Sequence, residues 1–313
     1  MKHIADLKED DKISEHYLCK QKQSLKSRSG KTYLSLKLQD KTGAIEGKVW
    51  DLNHDIQNFE PGDVIKIDAI VLNYQNELQL KINKIRKSAD GEYSPMDYIP
   101  STDKDIDQLY AQIVETIRSV SNCYIRQLLE DILVNNTEVA SRFKNHSAAK
   151  SLHHSYMGGL IEHTASVMQI CLFLSDHYPT VCKDVLLAGA MLHDIGKVYE
   201  LSSFPENDYT DDGQLLGHIT IGADMVTECA RQIPNFPHTL ESAVKHCILA
   251  HHGEFEYGSP IRPKTIEAYI LHCADNMDAK VKAFEHAIES DSSQRLWLGY
   301  QKMMGHSIRR SVY

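Results

Sequence analysis

The chain has 313 residues, 42% of them hydrophobic and 25% charged, which excludes a disordered, collagen-like or coiled-coil chain and suits about two globular domains. No apolar run reaches the roughly 18 residues that cross a bilayer, and the start, MKHIADLKEDDK, lacks the apolar stretch of a signal peptide. A cytoplasmic protein with no membrane partner and reduced thiols is expected. The net charge of −9 argues against nucleic-acid binding only when taken whole, because residues 1–90 carry 16 basic and 14 acidic side chains and residues 91–313 carry 18 and 29.

Residues 11 to 87 read as strands. Leu34, Leu36 and Leu38 alternate with polar neighbours, as in a half-buried strand. Asp40-Lys41-Thr42-Gly43 is a turn signal. Ile45, Gly47 and Val49 alternate again, residues 52–59 suit one short helix, and Ile65, Ile67 and Ala69 share one face of a fourth strand. Leu78, Leu80 and Ile82 form the last. Five strands in about 75 residues, with an insertion after the third, suit a small β-barrel of the OB-fold type.

Between Glu15 and Asp40 stand six basic residues and no acid, namely Lys20, Lys22, Lys26, Arg28, Lys31 and Lys37. With Tyr33 they form a candidate groove for a phosphate backbone. Tyr17, Tyr33 and Trp50 are candidate stacking platforms. A solvated charged face is the plain alternative.

Residues 88–105 hold Gly, Pro and scattered acids without periodicity and read as a linker. Helical spacing begins at Ile106 and continues through Ile117, and again through Ile125–Leu133. Further helices are expected near 137–150, 160–178, 181–194, 218–232, 241–252 and 264–289. The domains expected are therefore 1–87, a linker 88–105, and an all-α unit 106–313.

The seven cysteines contain no C-x2-C pair, so no zinc-finger signature is present. Histidine is the distinctive residue of the helical part, with 14 of 17 lying from His146 onward. His193-Asp194 ends an apolar helix, where a buried imidazole and carboxylate need partners. His163, His218, His251, His252 and Asp275 stand on other helices, each at an end or on an apolar face. Ligands supplied by several facing helices are how bundle cores build carboxylate–imidazole metal sites. A nitrogen–oxygen set suits Mn, Fe, Co, Ni or Zn better than Ca. The other histidines read as core or surface residues.

His163, His193-Asp194 and Asp275 resemble the H…HD…D signature of the HD-domain phosphohydrolases, and HDIGK at 193–197 is typical of that superfamily. With the barrel in front, the chain resembles the YhaM family of 3′→5′ exoribonucleases through GGLIEHT (158–164), HDIGK, GH (217–218), AHHGE (250–254) and ADNMDAK (274–280). That resemblance places the signature at 158–280 and implies one divalent metal on His163, His193, Asp194 and Asp275. It implies a second shared through Asp194 and completed by His218 and His251, with His252 nearby; Mn²⁺ is favoured, and Fe, Co, Ni or Zn are alternatives. Asp194 and Lys197 become the candidate catalytic residues, with Lys197 donating to a phosphate oxygen. The implied reaction is hydrolysis of single-stranded RNA, or of single-stranded DNA, to 5′-nucleotides by a two-metal-activated water. Three other readings stand beside it: a hydrolase of small or cyclic nucleotides, a nucleic-acid-binding or replication factor with a vestigial site, and a di-iron oxygenase on the same ligand set. Spare helical faces would allow a homo-oligomer.

Overall fold

The computed structural model describes residues 2–27, 30–52, 55–74, 77–89, 91–94, 97–99, 101–149, 156–204, 206–291, 295–301 and 304–312. Two compact units result, Met1–Ser101 with Phe204–Glu206, and Thr102–Ser203 with Asn207–Tyr313.

The first unit is a five-stranded closed barrel. Its strands are β1 (Lys12–Lys26), β2 (Thr32–Asp40), β3 (Gly43–Val49), β4 (Val64–Tyr74) and β5 (Glu77–Lys87), in the order β1-β2-β3-β5-β4. β1 closes the barrel on β4, and β3 joins β5 as a parallel pair. This is the OB-fold expected from the alternating pattern. Leu36, Leu38, Ile65, Ile67 and Leu80 fill its core, and their partners in the alternation face outward. The β2–β3 turn is fixed by Asp40, whose Oδ1 accepts from the Thr42 backbone N–H at 2.7 Å and hydroxyl at 2.6 Å.

Two expectations fail here. The short helix at 52–59 is absent among its described residues. Instead Ile56 bridges to Ile85, with Gln57 N–H donating to Ile85 O and Ile85 N–H to Asp55 O, both at 2.9 Å. Backbone pairing with the barrel and burial of Phe59 outweigh a one-turn helix, whose nucleation is costly. Part of the expected linker also packs on the barrel. Tyr98 and Ile99 are buried, Tyr98 beside Leu18 and Val64, and Gln39 Nε2 donates to Tyr98 O at 3.1 Å.

The second unit is mostly helical: α1 (Ile106–Ser119), α2 (Cys123–Glu130), α3 (Thr137–Asn145), α4 (Gly159–His177), α5 (Lys183–Leu192), α6 (Lys197–Glu200), α7 (Asp211–Leu215), α8 (Gly217–Gln232), α9 (His238–Ala250) and α10 (Ile266–Ser290). Capping residues mark the starts. Asp105, Asn122, Asn136 and Thr265 each accept from backbone N–H groups in the first turn of α1, α2, α3 and α10, satisfying donors a helix leaves unpaired. α5 is buried from Val185 to its end at Leu192. Gly189 permits this, because a Cβ there would lie 2.7 Å from Cys247 Cβ on α9. The unit is not all-α. β6 (Trp297–Gln301) and β7 (His306–Arg309) form an antiparallel hairpin, held by burial of Leu298 and Ile308. Among the described residues, no helix is long and apolar enough to cross a membrane.

Candidate metal centre

All seven candidate ligands of the helical unit come together. α5 ends at Leu192, so His193 and Asp194 leave a buried helix at its C-terminus; α9 does the same with His251 and His252. Helix C-termini carry partial negative charge and favour cations. α4 supplies His163, α10 supplies Asp275, and α8 opens with His218. Gly196 sets the last approach. A Cβ at that position would lie 2.0 Å from the His218 carbonyl oxygen, so only glycine lets the turn after Asp194 touch the first turn of α8.

The ligand atoms fall into two sets around Asp194. Its Oδ2 lies 3.5 Å from His193 Nε2 and 3.7 Å from His163 Nε2. Its Oδ1 lies 3.4 Å from His218 Nε2 and 3.7 Å from His251 Nε2. Asp275 Oδ1 joins the first set, 3.1 Å from His163 Nε2, and His252 joins His218 and His251 in the second. Atoms each about 2.1 Å from a shared ion stand roughly 3.0–3.4 Å apart, close to the spacings found here.

Every imidazole in the cluster has its Nδ1 engaged. His193 Nδ1 meets Ala190 O at 2.9 Å, His251 Nδ1 meets Ile248 O at 2.7 Å, and His252 Nδ1 meets Tyr257 O at 2.8 Å. His218 Nδ1 meets Glu200 Oε1 at 3.0 Å, and His163 Nδ1 meets Asp278 Oδ2 at 2.7 Å. A carbonyl or carboxylate oxygen only accepts, so each ring donates from Nδ1 and turns its Nε2 toward the centre.

A metal fits this arrangement on a direct observation. Asp194 Oδ1, His218 Nε2 and His251 Nε2 are buried with no hydrogen-bond partner among the described residues. Such orphaned atoms are costly in a protein interior, and three converging on one point are satisfied together by a cation. Burial pulls His163 down, but Asp275 and Asp278 outweigh it and hold the ring up at about 10, so a cation here would take the place of the Nε2 proton beside Asp275 Oδ1. Burial drives His251 well below its ordinary value and lowers His193, leaving both as neutral imidazoles. Burial opposes ionisation of Asp194, yet Lys197 and the surrounding histidines keep its carboxyl well below the usual range. Lys197 Nζ donates to Asp194 Oδ2 at 2.7 Å from the first residue of α6.

Three residues here are absent from the sequence reading. Asp278 and Glu200 orient His163 and His218, and Ser166 also donates to Asp278. His272, read from the sequence as an ordinary histidine, donates from Nδ1 to His251 O at 2.8 Å. The spacing Asp275–Asp278, one helical turn, was the available signal for Asp278.

The candidate nucleic-acid residues of the barrel separate by strand face. Lys37 stands opposite Gln21, and Tyr33 opposite Leu25, on the outer face. There a groove of about 860 Å³ is lined by Gln21, Gln23, Ser35, Lys37, Glu46 and Lys48 among others. Tyr33 stacks on Trp50, with ring centroids 4.5 Å apart. Lys22 stands opposite Leu36 and turns the other way, donating to Phe59 O at 2.5 Å. Lys26 shares that side, Lys20 occupies the β1 bulge, and Lys31 pairs with Asp51. Arg28 lies outside the described residues. Tyr17 is fully buried, its hydroxyl donating to Lys2 O at 3.0 Å, so it offers no stacking face.

Known proteins resemble both parts of the chain. The HD domain family model matches residues 160–280, and a model described as an OB-fold nucleic acid binding domain matches residues 19–87. The 3′-5′ exoribonuclease YhaM of Geobacillus sp. (strain WCH70) is 36% identical over 265 residues, covering 83% of this chain and 80% of its own. That of Bacillus velezensis is 33% identical over 283 residues, covering 89% and 88%. Among solved structures, the HD domain of the L. monocytogenes phosphodiesterase PgpH covers 52% of this chain and 78% of its own, with 16% identity and a TM-score of 0.30.

Proposed function

Because the chain belongs to the YhaM family of 3′-5′ exoribonucleases, we propose that it shortens single-stranded RNA from the 3′ end, releasing 5′-nucleotides at a centre of two divalent ions, Mn²⁺ favoured. Membership and the HD domain make it a metal-dependent hydrolase acting on nucleic acid. The observation that carries the finer reading is the division of Asp194. One of its oxygens faces His163 and His193, and the other faces His218 and His251.

His163, His193, Asp194 and Asp275 would hold one ion; Asp194, His218, His251 and His252 would hold the other. Paired ions supply Lewis acidity and a water acidic enough to attack near neutral pH. The chain's own groups do the remaining work. Asp278 and Glu200 fix ring orientation, so the ligand set needs little reorganisation. Lys197 positions Asp194 and keeps an ammonium at the cavity wall, where a phosphate's charge arrives. Burial has not stripped Lys197 of its proton, because Asp194 holds its pKa up. The OB unit contributes affinity for the strand, through stacking at Tyr33 and Trp50 and through Lys37 and Lys48 on its outer face.

Asp194→Asn tests the reading. Metal content is expected to fall from two ions per chain, and hydrolysis of RNA to be lost, with the helical spectrum unchanged. Retained hydrolysis in that variant contradicts the shared-ligand assignment.

A further inference from the structure

The cavity at the metal centre has room beyond the ions. Its volume is about 510 Å³, within the range of about 300–1,000 Å³ typical of small-ligand pockets. Five of the candidate ligands line it, His163, Asp194, His251, His252 and Asp275, and Lys197, Tyr257 and Asn276 are among the residues that complete the wall. Among its described lining residues, Tyr257 alone carries an aromatic ring other than imidazole.

Tyr257 is 69% exposed. Single exposed aromatics are common on soluble proteins, so exposure alone decides nothing; the anchoring does. Tyr257 O accepts the Nδ1–H of His252 at 2.8 Å, and Tyr257 N–H donates to Glu254 O at 3.1 Å. The buried Ser259 hydroxyl bonds Leu249 O at 3.0 Å and Ile261 O at 2.9 Å, and Arg262 Nε pairs with Glu254 at 2.7 Å. An aromatic residue is thus presented at the cavity by a backbone tied to a candidate ligand and to the end of α9.

We propose that Tyr257 is the platform on which the 3′-terminal nucleobase stacks while its phosphodiester lies at the metal centre. The proposal rests on the exoribonuclease reading. An enzyme that removes one nucleotide after another meets every base in turn, so its terminal contact must tolerate all four. Stacking does so, because every base has a π-face. The backbone that carries the ring is tied to His252, so a base stacked on Tyr257 is held beside the candidate centre.

The test uses the full-length, metal-loaded protein and single-stranded RNA. Tyr257→Ala is expected to raise KM about tenfold, within the range for one stacked base, while kcat stays within about twofold. Tyr257→Phe is expected to keep the wild-type KM. RNA ending in a 3′-abasic residue should erase the difference between wild type and Tyr257→Ala, since no base remains to stack. Metal content and melting temperature of the variants should match wild type; should Tyr257→Ala not fold, Tyr257→Leu keeps bulk without a π-face and is expected to show the same KM rise. A KM unchanged on ordinary RNA, or an equal rise on the abasic end, overturns the proposal alone. A wild-type protein that leaves RNA intact overturns the exoribonuclease reading and this proposal with it.

Discussion

Asp278 holds His163 from behind. Its Oδ2 lies 2.7 Å from His163 Nδ1, while Asp275 Oδ1, one turn earlier on the same helix, lies 3.1 Å from Nε2 of that ring. One helix thereby fixes both nitrogens of a residue carried by another. Asp278→Asn removes the charge that would make His163 a strong ligand. Metal affinity should fall about 10- to 100-fold, read by titration of the metal-free protein, with far-UV circular dichroism unchanged. An affinity equal to wild type would count against the role.

Gly196 gives a steric prediction. A Cβ there meets the His218 carbonyl oxygen at 2.0 Å, a backbone atom that cannot rotate aside. Gly196→Ala should cost at least the roughly 1–3 kcal/mol of overpacking and push α8 away from Asp194. A lower melting temperature together with loss of the ion at His218 is the expected result. Unchanged melting would show that α8 yields freely.

The pH dependence of stability follows from His146. It is buried, with Nε2 3.1 Å from Val198 O, and burial lowers its pKa below the ordinary value of 6.5. The unfolded chain therefore takes up a proton at higher pH than the folded one. Stability contributed by the neutral ring is present above about pH 6.5 and is lost as pH falls below it. His146→Gln should flatten the slope of melting temperature against pH between about 6.5 and 5. An identical slope would place the acid sensitivity elsewhere.

On the barrel, Trp50 is 38% exposed and stacks on Tyr33. Trp50→Ala should weaken binding of single-stranded RNA by about 1–3 kcal/mol, measured by fluorescence anisotropy, with little change in melting. Tyr17→Ala should instead destabilise the barrel, since Tyr17 is fully buried.

Much of this was legible in the sequence, for physical reasons that differ by element. The strands at 34–38 and 45–49 show because one face is buried and the period is two. The candidate ligands stand out because a histidine or aspartate on an apolar helix needs a partner. Segment 52–59 misleads because its hydrogen bonds go to a distant strand, Ile85, which local pattern does not encode. The hairpin at 297–309 is hidden by its brevity. Asp278 and Glu200 stay out of the sequence reading because the histidines they hold come from other helices. Lys22 and Lys37 both belong to one basic run, yet pleating turns them to opposite faces.

The most direct measurement is a time course on 5′-end-labelled single-stranded RNA with Mn²⁺, beside a chelated control and Asp194→Asn. The expected result is a ladder that shortens from the 3′ end only with metal and only in the wild type. An intact substrate, internal cleavage, or shortening that survives both the chelator and the substitution would contradict the account.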